Sequence, residues 1–299
     1  METFNIKKIL VPTDFSETSM KALSYAIELA KRTQSEITIL NVVESLLATN
    51  NPSFVSVPNS AEYEEVVLEA CRTKLAELAY SKAEPDFPPL QTMAVLGRTY
   101  LEIVRCSKEL SMDLIVMGTH GVSGIREFME GSNAYRVVSE ADCPVLTIQS
   151  TLKNGIFNKI LLPFNDRQHS REKVRYALRL AQIYNASVHV LGVDEEGTQK
   201  DTYKISKEAE QIKAVADSKG IACTVEVVSE NYYSNSLLNH AMETGADLIV
   251  EMRGMDKLNI TEYFQESLEK SLVNHSPIPI LTIKANFNPD AVNLHGYGW

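Results

Sequence analysis

A chain of 299 residues with a formal net charge of −10 and a pI near 5.2 is long enough for two ordinary domains, and its acidity disfavours nucleic acid or an anionic membrane as a general partner. Its 44% hydrophobic and 23% charged residues are those of a globular protein, and thirteen Gly and eleven Pro exclude collagen-like or low-complexity character. The four cysteines, Cys71, Cys106, Cys143 and Cys223, are scattered without a CxxC or a Cys–His cluster, so neither a disulfide framework nor a zinc site is expected.

In chain order, Ile9-Leu10-Val11 reads as a short buried strand stopped by Pro12, and Ser16 suits the N-cap of the helix that follows. In that helix Met20, Leu23, Ala26, Ile27 and Ala30 recur at spacings of three and four, which makes one apolar face. A second strand runs over Ile37–Val43. Residues 45–60 turn to Asn, Ser and Pro and read as a loop. An amphipathic helix over 61–81, a strand over 91–96 closed by Gly97, and a helix over 100–110 come next. Then comes the stretch DLIVMGTHGVSG, in which the apolar run 114–117 breaks into glycines at Gly118 and Gly121. Gly131-Ser132 opens a further helical pattern, and Val145–Ile148 closes the series. The alternation βαβαβαβαβ predicts an α/β fold, a doubly wound five-stranded parallel sheet with helices on both faces.

The pattern then starts again. Lys159-Ile160-Leu161-Leu162-Pro163 repeats Lys8-Ile9-Leu10-Val11-Pro12, and Ala246-Asp247-Leu248-Ile249-Val250 repeats the strand before the glycines. A repeat of this length is a duplicated domain. The expected division is 1–150, 156–285 and a tail 286–299. No signal-peptide pattern or apolar run of eighteen residues appears, so a cytoplasmic protein is expected.

The glycines have a chemical reading. After a parallel strand, Gly118 and Gly121 let the backbone bend and approach a ligand, and a helix opening at Gly131-Ser132 offers unpaired amides and a positive dipole end to phosphate oxygens. Asp14, where the first strand ends, is placed to accept hydrogen bonds from a sugar or base; its competing role is to cap the next helix. His120 reads as a loop residue near the ligand, with no second carboxylate or lysine to complete a catalytic set. Arg126 is the nearest cation in sequence, and no Walker A lysine, GxGxxG, HExxH or GxSxG motif is suitably placed.

The spacing Gly118-x2-Gly121-x9-Gly131-Ser132, flanked by DLIVMGTHG and CPVLTI and preceded by ILVPTDFSETSMKAL, resembles the ATP-binding branch of the universal stress protein family. The resemblance covers both halves, as in a tandem member. It implies a Rossmann-like fold of the adenine nucleotide alpha hydrolase type and ATP as ligand, with Mg2+ as an optional companion. It also implies a nucleotide site at Pro12, Thr13, Asp14, Val42, Met117, Gly118, His120, Gly121, Gly131, Ser132 and Asn133, with no catalytic residue and no protein metal ligand. In the second half Glu251-Met252-Arg253-Gly254-Met255 stands where Met117-Gly118-Thr119-His120-Gly121 stood, Gln265-Glu266 replaces Gly131-Ser132, and Asn165 replaces Asp14. Side chains and negative charge there predict a domain that keeps the fold and loses the nucleotide.

The resemblance further implies pairing of the two domains within the chain through strands 145–148 and 280–283, a homo-oligomer, and a signalling partner. The expected function is a nucleotide-binding stress-response sensor or regulator. A slow ATPase or autokinase using divalent metal, His120 and Ser132, and a scaffold that needs no ligand, are the alternatives.

Overall fold

The computed structural model describes residues 4–44, 60–84, 87–119, 133–149, 155–165, 168–194, 199–229, 234–253 and 276–285. The chain divides into two compact units, Ile6–Gly155 and Ile156 onward, with Phe4 and Asn5 grouped with the second. The loop over 45–59, the residues 120–132 that hold the glycine motif, and the tail after 285 lie outside the described residues.

The first unit runs β1 (Lys8–Pro12), α1 (Glu17–Thr33), β2 (Glu36–Glu44), α2 (Ser60–Ser81), β3 (Gln91–Gly97), α3 (Thr99–Glu109), β4 (Leu114–Gly118), α4 (Asn133–Glu140) and β5 (Val145–Ile148). Its strands pair in the order β3-β2-β1-β4-β5, all parallel. The second unit runs β6 (Lys159–Phe164), a 3-10 turn (Gln168–Arg171), α5 (Glu172–Tyr184), β7 (Ser187–Asp194), α6 (Gln199–Ser218), β8 (Cys223–Ser229), α7 (Ser234–Thr244), β9 (Leu248–Arg253) and β10 (Ile280–Lys284). Its order is β10-β9-β6-β7-β8, again parallel. Two doubly wound α/β domains with five parallel strands each are thus present.

Burial explains the central strands. Ile9, Leu10 and Val11 are wholly buried, as are Ile160, Leu161 and Leu162 at the matching place. Covered on both faces, such strands read as unbroken apolar runs rather than alternations. The repeat reaches the fastenings as well. Asp113 accepts from the amides of Lys7 and Lys8 at 2.8 and 2.9 Å, and Asp247 accepts from those of Asn158 and Lys159. The aspartate of each Asp-Leu-Ile-Val run thereby ties the start of β4 or β9 to the start of its neighbour. Helix α1 begins on Ser16, whose Oγ accepts from the Ser19 amide at 3.3 Å. It ends at Gln34 in the left-handed region (φ 57°), and α5 ends likewise at Asn185 (φ 54°).

Candidate functional site

In the first unit the strand order reverses between β1 and β4, and the carboxyl ends of both strands open onto one edge of the sheet. Such a reversal leaves a crevice between the outgoing loops, where doubly wound sheets hold ligands. Carrying the β1–β4 register (Ile9 opposite Leu114, Leu10 opposite Ile115) forward brings Pro12 level with Met117. Val42 stands at the same end of β2, half-buried and paired with Val95 of β3. The structure therefore gathers Pro12, Thr13, Asp14, Val42, Met117 and Gly118 at one edge. Asn133 is half-buried at the first position of α4. His120, Gly121, Gly131 and Ser132 lie outside the described residues.

The turn from β1 into α1 is fixed by Thr13. It is buried, its amide donates to Leu40 O at 2.8 Å, its carbonyl accepts from Asn41 Nδ2 at 2.7 Å, and its Oγ1 lies 3.0 Å from Ser19 Oγ. The same Oγ1 accepts from the amide of Phe15 at 3.0 Å, which holds Phe15 in the left-handed region at φ 63°. A non-glycine residue stands there at a cost, so this hydrogen bond matters. Asp14 sits exposed between them, its Oδ1 accepting from the Ser16 amide at 3.0 Å. Ser16 is the helix cap; Asp14 braces the cap and projects from the edge.

Gly118 packs against the start of α1. A Cβ on it would lie 2.9 Å from Thr18 Cγ2, 3.0 Å from the Thr18 carbonyl carbon and 3.1 Å from the Ser19 amide nitrogen. The first turn of α1 takes the space, so this glycine seats a helix N-terminus against the strand end. The positive end of that helix dipole is drawn to the edge as a result. Two contributors escaped the sequence reading. Asn41, buried in an otherwise apolar strand, is the residue that pins Thr13; a lone amide inside ITILNVV was the available signal. Lys74 of α2 stands with its Nζ 4.0 Å from the Phe15 ring centroid, next in sequence to Asp14. No spacing in the sequence relates residue 74 to residue 15.

The described residues thus bring an exposed carboxylate, a helix N-terminus and two strand ends to one edge of the sheet. A family model described as the universal stress protein family matches residues 5–149 and again 157–284. The chain belongs to the universal stress protein family. It carries two of the family's domains in tandem. The universal stress protein YxiE of Bacillus subtilis is 36% identical over 147 residues, which is 48% of this chain and 98% of YxiE. The universal stress protein MJ0531 of Methanocaldococcus jannaschii is 33% identical over 150 residues, 49% of this chain and 84% of that protein. Among solved structures, a universal stress protein from Archaeoglobus fulgidus covers 95% of this chain and 98% of its own, with a TM-score of 0.73 and 19% identity, a likeness of fold.

The second universal stress domain fills the matching edge with side chains. Glu251 and Met252 of β9 stand where β4 has Met117 and Gly118. Lys173 of α5 stands where α1 has Ala22. Lys173 is buried, its Nζ 3.0 Å from Glu251 Oε1, and that oxygen also accepts from the Met252 amide at 2.9 Å. The stretch matching the first turn of α1 is a 3-10 turn, and α5 has 13 residues against 17 in α1. A Cβ at the glycine position is thus accompanied by a helix start that has rewound. Behind it Arg171 pairs with Glu208, and Asp194, buried at the end of β7, accepts from Thr202 Oγ1. Gly254, Met255, Gln265 and Glu266 lie outside the described residues.

Proposed function

We propose that the first domain binds an adenine nucleotide, ATP by the family resemblance, and that binding sets the state of a stress-response regulator. The observation that carries this reading is the crevice between β1 and β4, with an exposed carboxylate at Asp14 on one side and a helix N-terminus seated on Gly118 on the other. Asp14 would hold the ribose or base through its carboxylate, and Val42 would do so through its backbone. Amides after Gly121 and at Gly131-Ser132 would cradle phosphate, since main-chain donors at a helix start need no lysine. With no general base or phosphate-binding lysine in the motif, the site favours holding over turnover. Mg2+ would enter with the phosphates rather than on protein ligands. The second domain, with Glu251 and Met252 at its edge, is read as a partner domain that has given up the ligand, and the protein as cytoplasmic. Among the described residues no helix is long and apolar enough to cross a membrane.

Equilibrium ATP binding to the full chain, wild type against Asp14→Ala and Gly131→Glu, tests the assignment. Loss of at least about tenfold in both, equivalent to 1.4 kcal/mol, is expected. Equal affinity in all three proteins would sink it. Gly118→Val is the poorer probe, because its Cβ strikes α1 and would weaken the fold along with any site.

A further inference from the structure

The second domain carries a cluster whose counterpart in the first has no histidine and no carboxylate. His189 on β7, Glu226 on β8 and His240 on α7 bring their side-chain ends together on one face of the sheet. The Nε2 atoms of His189 and His240 are 3.1 Å apart, and Glu226 Oε2 is 3.6 Å from the first and 3.8 Å from the second. We infer that His189, His240 and Glu226 form a binding site for a divalent cation of the zinc class.

The spacing carries the inference. Zinc bonds nitrogen and carboxylate oxygen at about 2.0–2.2 Å in tetrahedral sites, so ligand atoms sharing a zinc stand about 3.4 Å from one another. The three separations, 3.1, 3.6 and 3.8 Å, straddle that value. Two imidazoles and a carboxylate suit a borderline divalent metal, and a fourth position is left for water. The half-exposed Glu226 gives the ion a route from solvent, on the edge strand of the sheet.

The surroundings also fit. His189 Nδ1 lies 2.7 Å from Thr224 Oγ1. With that nitrogen donating its proton to the hydroxyl, Nε2 keeps a lone pair for the metal, the outer-shell arrangement usual for ligating histidines. The 3.1 Å contact between the two Nε2 atoms needs a proton on one of them. In the tautomer of His240 with its proton on Nδ1, its Nε2 also offers a lone pair, and an ion replaces that proton between the rings. Burial and the neighbouring His240 lower the His189 pKa, with Lys159 adding to the same effect and Glu226 opposing it. The Lys159 ammonium is drawn aside by Thr244 O at 2.7 Å.

Apolar packing fixes the elements that meet here. Leu237 and Ala241 seat α7 against Leu191 and Val193, which share the face of β7 that bears His189. The first domain shows the contrast. By strand register and by distance from the repeated aspartates, its matching residues are Thr38, Met93 and Cys106, and there Cys106 Sγ meets Met93 Sδ at 3.9 Å. Duplication has left a sulfur contact in one copy and a metal-type triad in the other.

The test is calorimetric titration of ZnCl2 into the full chain without nucleotide, comparing wild type, His240→Ala and Glu226→Gln, with the visible spectrum of a Co2+ complex as second readout. One Zn2+ per chain in the wild type is expected, weakened about 100-fold by His240→Ala and about 10-fold by Glu226→Gln, with Co2+ giving a tetrahedral spectrum free of thiolate charge transfer. No uptake, equal affinity in all three proteins, or a thiolate spectrum pointing to the cysteines would overturn it. Glu226 is half-exposed and its glutamine variant is expected to retain the fold, so that variant decides the matter if His240→Ala fails to fold. The result is independent of ATP binding by the first domain.

Discussion

Lys173 Nζ and Glu251 Oε1 meet at 3.0 Å where the first domain places Ala22 and Met117. Two apolar residues have been exchanged together for an ion pair, and each partner now depends on the other. Removing one member leaves a charge in a site that excludes water, at a cost of about 3 kcal/mol, the lower end of the usual range because a quarter of the Glu251 side chain stays exposed. We expect Lys173→Ala and Glu251→Met each to be destabilising by that order. The double variant, which restores the first domain's pair, should lie within about 1 kcal/mol of wild type. Urea denaturation of the four proteins gives the coupling energy; additive single effects would show that the pair is incidental.

The helix start packed on Gly118 makes a second expectation. Gly118→Ala drives a methyl group to 3.0 Å from main chain that cannot yield by a rotamer change. A loss of about 1–3 kcal/mol follows from overpacking of this kind. Adding Thr18→Ser removes the clash at 2.9 Å with the Thr18 methyl and leaves the backbone one, so partial recovery is expected. Thermal melting of both variants checks the order, and full stability of Gly118→Ala would mean that α1 is not seated as described.

Thiol chemistry provides the pH dependence. Burial pushes the Cys143 and Cys223 thiols up to about 11, and raises Cys106 as well. Iodoacetamide labelling of Cys143 and Cys223 in the native chain should be slow at neutral pH and rise until about pH 11, since the thiolate is the reacting form. The linkage has a definite sign. A folded pKa above the unfolded one means that stability is complete below the unfolded value, near 9, and is lost as pH rises through the folded value. Cys143→Ala should therefore flatten the alkaline fall in stability between about 9 and 11. Peptide mass mapping of labelled protein reads the first effect and denaturation at several pH values the second.

Lys74 supplies a cation to the edge where Asp14 projects. If the first domain takes a nucleotide as proposed, Lys74→Ala should weaken ATP binding about three- to tenfold at low salt and less at high salt, since exposed charges are screened. Its stability should change by under about 1 kcal/mol, because Lys74 is exposed where it stands over the half-buried Phe15. Salt-independent binding in the wild type would remove Lys74 from the site.

Much of the architecture follows from local pattern. Runs such as Ile9–Val11 and Leu114–Met117 are apolar throughout because parallel strands are covered on both faces, and helices between them show a single apolar stripe. The repeat of Asp-Leu-Ile-Val marks a fastening: Asp113 and Asp247 each bind amides of the adjoining strand. What pattern cannot report is which side chains meet across strands and helices. Nothing in the spacing links His189 to His240, fifty-one positions away, or Lys74 to Phe15.

The glycine at 118 shows the same division. Sequence marks it as a place where the backbone bends and approaches a ligand; the structure adds that a side chain there would strike α1. The immediate cause is tertiary, since the atoms that forbid a Cβ belong to Thr18 and Ser19, a hundred positions earlier. By itself, the sequence determined two tandem α/β domains and the asymmetry of residue types between their edges, because burial on both faces and backbone conformation act over a few residues at a time. Tertiary structure alone decided the ion pair at Lys173, the seat of α1 on Gly118 and the His–His–Glu cluster. Those depend on distances across the sheet, which the order of residues along one strand does not contain.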